Sequence, residues 1–232
     1  MTKAILLDIE GTTTPMDFVK KVLFPYSRER VNSYVAMHFG ELRKEIDQLV
    51  DESSHGDSYT VPVDPLEPGS VAAYLEHLID TDRKSTPLKS IQGKIWQEGY
   101  RSGELVSQVY DDVPPALEGW AAAGKEIAIY SSGSALAQRL LFRHTDRGDL
   151  TPYISDYFDT NVGAKREPES YETIAARMGY LPREITFFSD VPEELDAAAS
   201  IGMVSILVDR PGYPERGPEV KFKRVSSFPR SD

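Results

Sequence analysis

The start of the chain constrains its fold most. Ala4-Ile5-Leu6-Leu7 is an unbroken apolar run that stops at a carboxylate, Asp8, and opens into the hydroxyl-rich turn Ile9-Glu10-Gly11-Thr12-Thr13-Thr14-Pro15. Successive side chains of a strand point to opposite faces, so an unbroken apolar run needs cover on both. Such a strand belongs inside a parallel sheet. The rest of that sheet does not come next. Over residues 17–110 the apolar residues recur at helical spacing, which predicts helices over 26–39, 42–50, 71–79 and 88–100 around a polar loop at 53–69.

From residue 111 strand and helix alternate. Strands are expected over 126–130, 154–158, 185–188 and 204–208, with helices between them that close at Gly124, Gly179 and Gly202. This predicts an α/β class with a Rossmann-like parallel sheet core formed by residues 1–16 and 111–232. An all-helical domain, residues 17–110, is inserted after the first strand. The basic cluster Lys221-Phe222-Lys223-Arg224 reads as a solvated tail.

Composition narrows the function. The 232 residues include no cysteine, which removes disulfide scaffolds, thiol catalysis and thiolate metal sites and fits a reducing compartment. Asp plus Glu number 37 against 26 Lys plus Arg, a net charge of −11 that repels nucleic acid and anionic membranes. No segment approaches the roughly 20 apolar residues that cross a bilayer, and four apolar residues are too few for a secretory signal. The expected address is the cytoplasm. With no heptad seam, the expected state is a monomer.

Ligands of open parallel sheets bind at the carboxyl ends of the strands. The expected strand ends deliver Asp8 and Glu10, then Ser131 and Ser132 with Gly133, then Lys165, then Asp190. Three carboxylates in one crevice repel, so either some are protonated or a cation neutralises them. Oxygen ligands favour Mg²⁺, which takes phosphate as a co-ligand. Hydroxyls and free N–H groups at a helix N-terminus suit that phosphate, and Lys165 adds positive charge. Carboxylates, Mg²⁺ and phosphate together suggest phosphoryl transfer. Asp8 is then the nucleophile. Glu10, on the same face of an extended segment, protonates the leaving oxygen and deprotonates the attacking water, and Asp190 completes the metal shell. Singly, each feature is commonplace: a Ser-Ser-Gly turn caps helices and a lone lysine sits on the surface. Their order, each at a strand end, is not.

Asp8-Ile9-Glu10-Gly11-Thr12-Thr13, Ser131-Ser132-Gly133, Lys165 and Ser189-Asp190 with Glu194 beyond it resemble the motifs of the haloacid dehalogenase superfamily of aspartate-nucleophile phosphatases. The helical insert resembles their cap domain. Most superfamily phosphatases have Asp where this chain has Glu10. With Trp96-Gln97-Glu98-Gly99-Tyr100 and Ser189-Asp190-Val191-Pro192-Glu193-Glu194-Leu195, that departure resembles the enolase-phosphatase family. The resemblance implies enolisation of 2,3-diketo-5-methylthiopentyl-1-phosphate and then hydrolysis to the acireductone 1,2-dihydroxy-3-keto-5-methylthiopentene, a step of methionine salvage. It implies one Mg²⁺ per subunit on Asp8, Glu10 (through its backbone carbonyl) and Asp190. By the same carry-over Ser131, Ser132 and Lys165 hold the substrate, and Asp8, Glu10 and Lys165 are catalytic.

Two readings compete. A haloacid dehalogenase-type phosphatase for another small phosphomonoester has the same core. A phospho-accepting receiver module gathers similar groups, but its acceptor follows an internal strand and it has no insert. Gly-x-Gly-x-x-Gly, P-loop and Gly-x-Ser-x-Gly motifs are absent, and the four histidines lack metal spacing. Trp96 and Tyr100, four apart on one helix, read as core ahead of substrate contacts.

Overall fold

In chain order come strand β1 (Ala4–Leu7), the short helix α1 (Met16–Phe18), and helices α2 (Phe24–His38), α3 (Arg43–Ser54), α4 (Pro68–Asp80) and α5 (Thr86–Ser102). Then follow α6 (Val113–Ala122), β2 (Glu126–Tyr130), α7 (Ala135–Arg143), β3 (Asp156–Phe158) and α8 (Pro168–Met178). β4 (Ile185–Ser189), α9 (Pro192–Ser200), β5 (Val204–Val208) and β6 (Lys223–Val225) complete the order. The computed structural model describes residues 2–55, 59–212 and 221–229. The chain divides into two compact units, Met1–Phe18 with Val106–Asp232, and Val19–Leu105. The division falls at Phe18 and Val106, where the sequence texture changes at 16 and 111.

The first unit is a six-stranded sheet in the order β3-β2-β1-β4-β5-β6, with every pairing parallel. β1 lies between β2 and β4, and Leu7 is opposite both Ile129 and Phe188. The strand order reverses direction here, so the carboxyl ends of these three strands border one crevice. Alternation along β1 explains its wholly apolar sequence. Ile5 and Leu7 join Ile127, Ile129, Trp120 and Leu141 on one face, under α6 and α7. Ala4 and Leu6 join Ala128, Tyr130, Tyr171 and Leu195 on the other, under α8 and α9. Both faces are buried, and the core runs through the sheet.

The C-terminal segment departs from the sequence expectation. Lys223–Val225 is not a solvated tail: it pairs with β5 as the edge strand β6, with Ile206 opposite Lys223 and Val208 opposite Val225. A lysine and an arginine suit an edge, where one row of backbone groups faces solvent. The strand expected over 154–158 is shorter, because Thr151–Tyr153 forms a 3₁₀ turn ahead of it.

Among the described residues of the second unit, every regular element is a helix. Val31 and Val35 of α2, Ile46 and Leu49 of α3, Val71, Tyr74, Leu75 and Leu78 of α4, and Leu88, Ile91 and Ile95 of α5 form its core. α5 begins at Ser85, whose hydroxyl accepts from the Leu88 N–H at 3.3 Å, and ends at Gly103 in the left-handed conformation. Trp96 and Tyr100 are buried in this unit, and the Trp96 indole donates to the Leu23 carbonyl at 2.9 Å. Among the described residues no helix is long and apolar enough to cross a membrane.

Candidate active site

Asp8 emerges from β1 with its N–H donating to the Phe188 carbonyl at 3.0 Å, so the sheet ladder runs up to the residue itself. The chain then folds into a hook. The N–H groups of Thr12, Thr13 and Thr14 all donate to the Ile9 carbonyl, at 3.1, 2.9 and 2.9 Å, and Gly11 N–H donates to Thr14 O at 2.8 Å. Gly11 takes φ +73, and a Cβ there would lie 2.6 Å from Asp190 Oδ2. Only glycine fits both demands. The hook carries Glu10 and brings Asp190 against Gly11.

Asp8 is buried, and three groups of the other loops meet it or each other. Lys165 Nζ lies 2.5 Å from Asp8 Oδ1 and 2.8 Å from Glu194 Oε2. The Ser189 hydroxyl is within reach of Asp8 Oδ2 at 3.2 Å and of Glu194 Oε2 at 3.0 Å, while it accepts from the Val191 N–H at 3.1 Å. One hydroxyl proton serves one carboxylate at a time, so Ser189 arbitrates between the pair. Burial pulls the Lys165 ammonium down, but Asp8 and Glu194 together hold it above its ordinary value. Burial, then the charge of Asp8, pushes Glu194 up to about 7, against the opposing pull of Lys165.

Glu10 turns the other way, toward the β2 loop. The fully buried Ser131 hydroxyl donates to Glu10 Oε2 at 3.4 Å and accepts from Gly133 N–H at 3.2 Å. Burial first, and Asp8 second, raise the Glu10 pKa above the ordinary carboxylate range. A carboxyl whose pKa is raised in this way is better suited to hand a proton to a leaving oxygen. Ser132 follows Ser131 in the same loop, which Gln138 fixes by donating from Nε2 to Gly133 O at 2.8 Å and Phe158 O at 2.7 Å.

Lys165 is held by its own backbone. The Tyr171 hydroxyl donates to Lys165 O at 2.7 Å, Ser170 Oγ to Ala164 O at 2.7 Å, and the Tyr130 hydroxyl to Gly163 O at 3.0 Å. The structure therefore joins Asp8 with Lys165, Glu10 with Ser131, and Asp190 with the hook. Glu194, Ser189, Tyr171 and Gln138 are the parts the sequence reading left off its site. Glu194 had a signal, four residues beyond Asp190 in the first turn of a helix; the others depend on helix phase.

Among the described residues no three His, Cys, Asp or Glu side chains form a ready metal cage. The Glu10 carboxylate meets Ser131, which leaves the carboxylates of Asp8 and Asp190 as the side-chain donors of the β1 and β4 loops. Two carboxylates with a main-chain carbonyl, water and phosphate form a hard-oxygen set that suits Mg²⁺. The residues fit that ion.

The model of the haloacid dehalogenase-like hydrolases matches residues 2–202. An enolase-phosphatase E1 from Synechococcus elongatus is 51% identical over 212 residues, 90% of this chain and 89% of that one. Another, from Leptospira borgpetersenii, is 45% identical over 96% of this chain and 95% of its own. The crystal structure of the UTR4 protein from Saccharomyces cerevisiae superposes with a TM-score of 0.75 at 34% identity, covering 98% of this chain and 99% of that one. The chain belongs to the haloacid dehalogenase-like hydrolases and, within them, to the enolase-phosphatase family.

Proposed function

We propose that this enzyme enolises 2,3-diketo-5-methylthiopentyl-1-phosphate and then hydrolyses it to the acireductone and phosphate, as a step of methionine salvage. The observation that carries the hydrolytic half is the buried Asp8 carboxylate held 2.5 Å from the Lys165 ammonium, at the end of the central strand. The Asp8 carboxylate attacks phosphorus and forms an aspartyl-phosphate as the phosphorus–oxygen bond to the enol breaks. Glu10 gives its proton to the departing oxygen, then takes one from the water that cleaves the aspartyl-phosphate. Lys165 neutralises charge on the phosphoryl oxygens, and Ser131 and Ser132 orient them. Mg²⁺, held by Asp8, Asp190 and the Glu10 main-chain carbonyl, would supply further charge stabilisation on the transferring group.

The helical unit serves in this reading as the cap that selects the substrate. The net charge of −11 supports a small-molecule enzyme that avoids nucleic acid and anionic membranes, and in this reading it acts as a monomer in the cytoplasm. Anaerobic turnover of the diketone phosphate tests it, with phosphate release and enediol absorbance followed together. Both signals with Mg²⁺, and neither with chelator, are expected. Phosphate release from generic esters alone would discard the enolisation and the pathway. A phosphoprotein that accumulates without turnover would favour the receiver reading.

A further inference from the structure

Behind the hook lies a group that no functional motif contains. Arg210 follows β5, and only 4% of its surface is exposed. Its Nε and Nη2 both donate to the Thr12 carbonyl, at 3.0 and 2.6 Å. Its Nη1 donates to Asp112 Oδ1 and Oδ2, each at 2.8 Å, and to the Ser226 carbonyl at 3.3 Å. The guanidinium lies over the rings of Tyr110 and Phe228, at 4.2 and 4.8 Å from their centroids. Asp112 also accepts from Phe228 N–H at 2.5 Å, and Tyr110 N–H donates to the Thr13 carbonyl at 3.1 Å.

These contacts have one common end. The amides of Thr12, Thr13 and Thr14 already point inward to Ile9 O, so the hook closes on itself through its N–H groups. The carbonyls of Thr12 and Thr13 point outward, and they are taken by Arg210 and by Tyr110 N–H. Thr13 Oγ1 in turn donates to the Asp8 carbonyl at 3.1 Å. A buried guanidinium is an expensive way to satisfy one carbonyl, because its charge must be compensated by Asp112. Its rigid fork joins three separate segments in one plane, which a lysine cannot do.

We propose that Arg210 is a positioning residue. It locks the hook after β1 so that Asp8 and Glu10 are held in attack and proton-transfer geometry. The group never touches the substrate. Its effect belongs in kcat, since misplacing a nucleophile by a fraction of an ångström lowers the rate without removing binding contacts. The kinetic half rests on the phosphatase reading above; the structural half does not.

The test compares Arg210→Lys, the charge-neutral pair Arg210→Met with Asp112→Asn, and Arg147→Met. The double variant avoids leaving a carboxylate buried alone. The control cuts the neighbouring Arg147–Asp111 ion pair, which does not reach the hook. Hydrogen exchange of the peptide covering residues 8–14 is measured beside kcat and KM for phosphate release. Both Arg210 variants are expected to stay folded and to exchange the hook amides at least tenfold faster. Their kcat should fall by tenfold or more with KM within threefold, and the Arg147 variant should match the native enzyme in every reading. Unchanged hook exchange would overturn the proposal whatever the activity, and so would faster exchange with native kcat. If the fall in kcat only matches the loss of folded protein read by circular dichroism, and exchange quickens over the whole chain equally, Arg210 is merely structural and the proposal fails. A native enzyme that releases no phosphate would sink the phosphatase reading, while the exchange of the hook would still decide the brace.

Discussion

Lys165 stands between Asp8 and Glu194, so a change at any one of the three alters the charge seen by the other two. Asp8→Asn keeps an oxygen for Lys165 but removes the nucleophile. Phosphate release should fall by about 10³-fold or more, with the thermal unfolding midpoint nearly unchanged. Glu10→Asp is subtler. Shortening the side chain withdraws its carboxyl from Ser131, now 3.4 Å away. Enediol formation should fall by about tenfold and further than hydrolysis of a generic ester; equal retention of both would show that the extra methylene does not serve enolisation. The placement of Asp8, Ser131 and Asp190 at strand ends was legible, because a buried strand that stops at a polar residue marks its own carboxyl edge. That Ser189 would reach both Asp8 and Glu194 was not legible. It depends on the phase of α9 against β4, which packing sets.

Elements hold these residues through backbone geometry that single substitutions can upset. Gly11→Ala places a Cβ 2.6 Å from Asp190 Oδ2 at a φ of +73. The strain should cost about 1–3 kcal/mol, read by urea unfolding, and activity should fall further than stability because the same atom displaces Asp190. Gln138→Leu removes the donor shared by Gly133 O and Phe158 O. Gly133 O loses this donor while Phe158 O keeps the Ser131 N–H, so the cost should be about 1–3 kcal/mol, and KM for the phosphate ester should rise as the Ser131–Ser132 loop loosens. Among elements, β1 and the alternation after residue 111 announced themselves by period and by glycine stops. β6 did not, since Lys223-Arg224-Val225 offers almost no apolar pattern and is a strand only because β5 presents an open edge.

At the scale of the molecule the two units can be followed separately, because each holds one of the two tryptophans: Trp96 in the helical unit and Trp120 in the sheet unit. In the helical unit Glu45 accepts from Lys94 Nζ at 2.7 Å and from Ser90 Oγ at 2.8 Å. Burial would raise its pKa, but those donors outweigh it and hold the carboxyl below its ordinary value of 4.5. The folded value is thus the lower one. The stabilisation is complete above pH 4.5 and is lost as pH falls below it. In a Trp120→Phe background, Trp96 fluorescence should show Glu45→Gln to be about 1–2 kcal/mol less stable at neutral pH, with the gap closing in acid. A gap that stays constant with pH would assign the effect to packing.

The central place of β1 also governs how the protein is made. Its right-hand and left-hand neighbours are both encoded far downstream, and the contact of Asp8 with Ser189 spans 181 positions. At translation speeds of about 5–20 residues per second, the first strand leaves the ribosome roughly ten to forty seconds before its last partner. During that interval the contiguous helical unit can form ahead of the sheet, and the apolar run at the centre of the finished sheet is a bare segment on a nascent chain. Asp8, buried in the finished enzyme, therefore waits in the open until the strand that carries Ser189 arrives.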